Sequence, residues 1–328
     1  MERIANRPII EHVLDALELA GVEDIVVVSS SRLGAGIRDC LRGRQEQTGR
    51  AVRLVERQAP LEVTDALRAV APIVGDAPCV VHLASGLLEE PLRPLLDRLS
   101  DTAPDILLLA HQAASPREHL SVATHEMLRL AAFRADHALG MAGVWMFGPG
   151  ALPLAAATPW SLCGDVDLTL LGKRISAAGG DVKVTLADTW LQYRGDPLDL
   201  LDLNRLVLDR LGPAPCRFAN GGNRIEGRVW IDAAALVRSS VIVGPTVIGP
   251  GARITDAYIG PYTSIGQQAR VEGAEIERSI IAAGASVTHV GGRLVSSVLG
   301  RDARVFRDFS LPRALRLRVG EGTEVALC

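Results

Sequence analysis

Val241-Ile-Val-Gly-Pro-Thr-Val-Ile-Gly-Pro-Gly-Ala-Arg-Ile254 places isoleucine at 242, 248 and 254, at intervals of six. The pattern runs well beyond this stretch, through Ile225, Ile231, Val237, Ile242, Ile248, Ile254, Ile259, Ile265, Val271 and Ile276, at intervals of six with occasional fives. Glycine follows several of them, as in Ile248-Gly249, Ile259-Gly260 and Ile265-Gly266. A short fixed period of this kind predicts a β-solenoid, in which each coil buries its Ile or Val against the coils above and below. The solenoid is expected to stack and cap, and its surface to offer contacts for a homo-oligomer. The tail Leu311-Pro-Arg-Ala-Leu-Arg-Leu-Arg-Val319 is expected to add a last strand or cap.

Upstream, Gly212-Pro-Ala-Pro215 breaks the chain, so an α/β domain is predicted over 1–215 and the solenoid with its cap over 216–328. In the first domain Ile9, Ile10, Val13, Leu14 and Leu17 recur at helical spacing after Pro8 and stop at Gly21. Strands are predicted at Ile25–Val28, Val52–Val55, Cys79–Leu83, Asp105–Ala110 and Gly143–Phe147, and helices over Leu168–Ala178 and Pro197–Leu211. The alternation argues for a mixed, mainly parallel sheet covered by helices. Cys79-Val-Val-His-Leu-Ala-Ser-Gly86 reads as a buried parallel strand ending at Ala84-Ser85-Gly86, and in open α/β sheets the ligand cleft lies beyond such ends. The domain opens on a helix, as if a first, central strand were missing. The expectation is that Ile25–Val28 and Cys79–Leu83 close up, or that another segment fills the slot between them, because unpaired buried backbone groups are costly.

The composition excludes several classes. With 328 residues and 48% hydrophobic content the chain can bury two cores, and with 4% aromatics it must build them from aliphatic side chains. A formal charge of −3 gives no case for nucleic acid. The five cysteines, Cys40, Cys79, Cys163, Cys216 and Cys328, have no C-x-x-C pairing and read as reduced thiols of a cytoplasmic protein. No metal-ligand spacing, signal peptide or membrane-spanning run is seen. His82, within a strand, reads as a satisfied core histidine, and Trp145 and Trp190 read as core; His125 has no readable place.

Ala5-Asn-Arg-Pro-Ile-Ile-Glu-His-Val-Leu14, Asp199-Leu-Leu-Asp-Leu-Asn-Arg-Leu-Val-Leu-Asp209 and the hexads ending in Pro312-Arg-Ala-Leu-Arg-Leu occur in an order that resembles the glucose-1-phosphate thymidylyltransferases of the long type. The resemblance implies a nucleotidyltransferase α/β domain followed by a left-handed parallel β-helix, joining a nucleoside triphosphate to a sugar 1-phosphate with release of pyrophosphate. That chemistry is positioning and charge neutralisation, and the positions the resemblance assigns to it are altered here. The glycine-rich triphosphate loop is not found, Met1 standing where it should have passed. The family's Gly-Asp-Asn, whose Asp holds Mg²⁺, matches Ala84-Ser85-Gly86. Its second metal-binding Asp falls at Tyr193 in Leu191-Gln-Tyr-Arg-Gly195. The base-reading Gln-x-x-Pro-x-Gly matches Arg57-Gln-Ala-Pro-Leu-Glu62 with an acid in place of glycine, and no lysine stands near Ala132–Ala135 where the sugar-phosphate segment is expected. Gly164-Asp-Val-Asp-Leu-Thr169 keeps two acids of the sugar pocket.

Three readings follow. The first is a repurposed enzyme acting on a small molecule of a biosynthetic pathway, with no metal or other cofactor. It would use acid/base chemistry such as a cyclisation or isomerisation, with Glu62, Asp167 and Tyr193 as catalytic candidates and Asp65, Ser85, Gly86, Asp165 and Arg194 lining the former nucleotide-sugar cleft. The second is a non-catalytic partner of an intact sugar nucleotidyltransferase. The third is residual glucose-1-phosphate thymidylyltransferase activity.

Overall fold

The computed structural model describes residues 1–58, 63–112, 139–157, 175, 179–213 and 222–309. The chain divides into two compact units, Met1–Arg210 and Leu211–Cys328. The first opens on a hairpin of β1 (Arg3–Ile4) and β2 (Arg7–Pro8), whose turn residues Ala5 and Asn6 both have positive φ, 45° and 66°. Two such residues make the primed turn whose twist matches a tight hairpin. The Ala5 amide donates to Oδ1 of the buried Asn204, at 2.8 Å, which ties the turn to a distant helix.

Pro8 leads into α1 (Ile9–Leu19), and the five apolar residues predicted for one face are all buried. Ile10 and Leu14 pack on Ile37 and Leu41 of α2 (Gly34–Thr48). At the edge of that contact Arg44, its side chain 5% exposed, reaches Asp15 at 2.7 Å and Glu18 at 2.9 Å.

The sheet is in two pieces. β3 (Val26–Ser30) pairs in parallel with β4 (Arg53–Arg57) and forms a two-stranded sheet. A four-stranded sheet has the order β5 (Cys79–His82), β8 (Leu139–Phe147), β7 (Ile106–Gln112), β9 (Val182–Leu186). β8 runs antiparallel to both its neighbours, and only β7 and β9 are parallel. Between β5 and β7 lie β6 (Gly86–Leu88) and α4 (Arg93–Thr102); α5 (Ala151–Ala156) follows β8, and β10 (Trp190–Gln192) and α6 (Pro197–Asp209) complete the unit.

Two expectations are corrected here. Cys79–His82 is an edge strand of partly buried residues with an antiparallel neighbour, instead of a buried parallel strand. Nor do β3 and β5 close up: among the described residues neither has a second strand partner. What joins the two sheets is α3 (Val63–Val74), which contacts β3 and β4 and buries Val63 and Leu67 in the same core as Val81, Ile106, Leu108, Trp145 and Phe147.

The second unit is the predicted parallel β-solenoid, with three sheets of five short strands. On its first face Arg224, Val241, Tyr258, Glu275 and Arg293 stack in register, so a coil takes 17 residues three times and then 18. Seventeen is two sixes and a five, which accounts for the irregular interval in the sequence. The middle residues Ile242, Ile259 and Ile276 are 0% exposed, as are Ile254, Val271 and Val287 of another face. Ser239, Asp256, Gly273 and His289 occupy one corner of successive coils with φ of 49°, 47°, 55° and 55°. For the three that are not glycine, the left-handed backbone costs about 1 kcal/mol each. The buried aliphatic stack outweighs that cost.

Candidate functional site

The strand-end residues picked out by the sequence do meet residues of a second predicted segment. After β5 the chain turns at Leu83 and runs into β6, which pairs antiparallel with β10 so that Gly86 faces Gln192 and Leu88 faces Trp190. Just beyond the last pair, the Tyr193 amide donates to the Ser85 carbonyl at 2.8 Å. Ser85 Oγ accepts from Gln192 Nε2 at 3.2 Å, and Gln192 Oε1 accepts from Trp190 Nε1 at 3.4 Å. A polar relay therefore runs from the indole to the serine hydroxyl.

Trp190, 3% exposed, fixes this corner. A Cβ on Gly86 would stand 2.4 Å from Trp190 Cζ2 and 2.7 Å from the Leu191 carbonyl oxygen; on Gly143 of β8 it would stand 2.6 Å from the same ring carbon. Only glycine lets two backbones approach the indole so closely. The His82 ring lies 5.5 Å from the indole, centroid to centroid, with Nδ1 2.9 Å from the Leu83 carbonyl oxygen. Burial pulls its pKa down to about 4. The imidazole is therefore neutral and structural, as its strand position predicts.

Tyr193 is followed by a turn in which the Arg194 amide donates to Asp199 Oδ2 at 2.8 Å and Asp196 caps α6 by accepting from Leu198 N at 2.9 Å. Burial raises the Tyr193 pKa, and the negative charges of Glu2, Asp199 and Asp196 raise it further. The phenol keeps its proton at neutral pH. Ser85, Gly86, Tyr193 and Arg194 thus form one locality. Asp65 stands on the exposed surface of α3, half accessible and 3.7 Å from Arg68. Glu62, Asp165, Asp167 and His125 lie outside the described residues, as does most of the predicted helix 168–178. Gln192 and Trp190 join the site without a motif; their signal is the alternation Trp190-Leu-Gln192, which sends both side chains to one side of a strand.

A hard divalent cation takes carboxylate and carbonyl oxygens. The side chains gathered here are a hydroxyl, a carboxamide and a protonated phenol, and the Ser85 oxygen already accepts from Gln192. This donor set does not fit a Mg²⁺ site. Among the described residues no three His, Cys, Asp or Glu side chains cluster as a metal site would require. The Cys40 and Cys79 thiols are free, and burial, joined at Cys40 by Glu11, pushes both up to about 11, so neither is a ready nucleophile.

An α/β unit followed by a parallel β-solenoid is the order of units that the resemblance to the sugar nucleotidyltransferases implies. No protein-family model matches the sequence. It is homologous to glucose-1-phosphate thymidylyltransferases: 27% identical over 326 residues to that of Streptomyces griseus, covering 97% of this chain and 90% of the relative. It is 26% identical over 332 residues to that of Streptomyces antibioticus, covering 99% and 92%. A low-salt glycan biosynthesis nucleotidyltransferase of Haloferax volcanii is 25% identical over 332 residues, again 99% and 92%.

Proposed function

We propose that this is a nucleotidyltransferase-fold protein whose cleft does not make nucleotide sugars and instead acts on a small molecule without a metal. The observation that carries the reading is the meeting of Ser85 and Tyr193 across β6 and β10. The resemblance assigns metal carboxylates to both positions, and here both carry neutral oxygen donors. For phosphoryl transfer, charge neutralisation at the phosphates is the dominant stabilising interaction, so losing it removes the reaction's main support.

What replaces it, in this reading, is proton transfer. A phenol held protonated above its ordinary range can donate to a developing oxyanion or leaving group. Glu62 and Asp167 are the proposed bases, and Asp165 and Arg194 are proposed to line the pocket; Asp65, on the exposed surface of α3, is not among them. The fitting reaction class is an isomerisation or cyclisation.

A second reading has support of its own, because the Streptomyces relatives bear the name glucose-1-phosphate thymidylyltransferase over nearly the whole chain. It requires that triphosphate and Mg²⁺ bind. Calorimetric titration with dTTP, UTP and glucose 1-phosphate, each with and without Mg²⁺, separates the two. Heat of binding that appears only with the metal supports the second reading; its absence supports the first.

A further inference from the structure

The 17-residue coil gathers arginines that are scattered along the sequence. On the third face of the solenoid one outward ladder runs Leu236, Arg253, Arg270, Ser286, Arg304 in register, and beside it runs Arg238, Thr255, Glu272, Thr288, Phe306. All four arginines are exposed, while Val237, Ile254, Val271 and Val287 between the ladders point into the core. Only one carboxylate stands among them: Glu272, which accepts from Arg270 Nε at 3.0 Å. Arg304 lies over the Phe306 ring at 5.7 Å, and Arg238 and Arg253 make no ion pair among the described residues.

Part of this arrangement works against the fold, although Arg270 pairs with Glu272 and Arg304 lies over Phe306. Like charges opposite one another on neighbouring strands destabilise a sheet, and Arg253 faces Arg270 directly. The solenoid core below needs only the aliphatic residues. Charge is also divided unevenly along the chain: Leu211–Cys328 holds 14 arginines, no lysine and 10 Asp or Glu, a formal +4 in a chain of −3.

We propose that this face is a docking surface for an acidic polypeptide segment of a partner protein. Guanidinium forks match carboxylates bidentately, and arginine with large apolar side chains is the mixture that protein interfaces favour. Leu236 and Phe306, 51% and 57% exposed, stand at the two ends of the face and offer apolar contacts on either side of the charges. A second copy laid face to face would set arginine on arginine, so a self-complementary contact does not fit this face. Single-stranded nucleic acid is favoured by a basic groove with successive aromatic platforms, whereas the two ladders of this face carry one aromatic residue, Phe306. The inference is independent of the cleft reading.

The test is fluorescence anisotropy of labelled poly-L-glutamate against the full chain at low and high salt, with oligo(dT) as the second probe. The face predicts binding that weakens with salt and falls about tenfold or more in Arg253→Glu/Arg270→Glu. Arg278→Glu, on a different corner, should leave it unchanged. Absence of low-salt binding, an equal loss in Arg278→Glu, or tighter binding of oligo(dT) than of poly-L-glutamate would overturn the proposal.

Discussion

The backbone amide of Tyr193 is hydrogen-bonded to the backbone carbonyl of Ser85 at 2.8 Å, although the two residues come from segments more than a hundred positions apart. This bond continues the β6–β10 pairing by one step and holds the hydroxyl and the phenol in one locality. Neither side chain takes part in the bond, so it survives substitutions at either position that keep the residue 193 amide, proline excepted. The site can therefore be altered chemically without being rebuilt.

That separation permits a restoration experiment. Ser85→Asp would still accept from Gln192 Nε2, and Tyr193→Asp would keep its amide bond. The double variant is expected to acquire a Mg²⁺-dependent thermal shift that the parent lacks. A parent that shifts equally with Mg²⁺ would contradict the account of these two positions.

Trp190 is the packing centre of the same corner. Truncation to alanine is expected to cost about 3–5 kcal/mol in urea unfolding and to free the Gln192 carboxamide. Gly86→Ala is expected to cost about 1–3 kcal/mol, since its Cβ would meet both the indole and the Leu191 carbonyl. A Gly86→Ala variant as stable as the parent would show that the indole can move aside.

His82 gives the fold a pH response. In the unfolded chain imidazole protonates near its ordinary 6.5, while burial holds the folded group neutral down to about 4. Its contribution is therefore fully present above pH 6.5 and is lost as pH falls from 6.5 towards 4, because the unfolded state takes the proton first. His82→Phe should flatten the melting temperature across that window. An unchanged slope in the variant would assign the response to other groups.

Arg44 links α1 to α2. Replacing it with methionine leaves Glu18 and one oxygen of Asp15 without their nearest cation, although Arg7 still reaches Asp15 at 2.7 Å. The expected loss is about 1–3 kcal/mol, below the figure for a fully buried pair because Asp15 is partly accessible. Burial raises the Asp15 pKa, but hydrogen bonds from Arg7 and Arg44 more than reverse this and hold it below 3.8. Its stabilisation is present above that value and lost as pH falls below it, so the variant should lose less than the parent on acidification. Equal acid sensitivity in chemical denaturation would count against the pairing.

The solenoid was legible because its period is written in one residue class, and even the irregular fives turned out to mark the 17-residue coil. α1 was legible for the same reason. The sheet was not, since hydrophobic runs such as Cys79–Leu83 show that a strand is apolar without showing which strands pair with it. The antiparallel placement of β8 between β5 and β7 depends on long-range pairing that no local pattern encodes. At the site, Ser85 and Tyr193 could be named from family motifs, but the relay through Gln192 could not, because a glutamine in a short strand carries no signal until its neighbour is known. The arginine face shows the same limit: residues spaced by a coil look scattered until the coil length is fixed.

The most direct test of the central claim is pyrophosphate release by the purified chain incubated with dTTP, glucose 1-phosphate and Mg²⁺, run beside an active thymidylyltransferase. No release above a protein-free control and no Mg²⁺-dependent binding of dTTP are expected. Turnover at a rate comparable with the active enzyme would contradict the claim and would make Ser85 and Tyr193 part of a working nucleotidyltransferase.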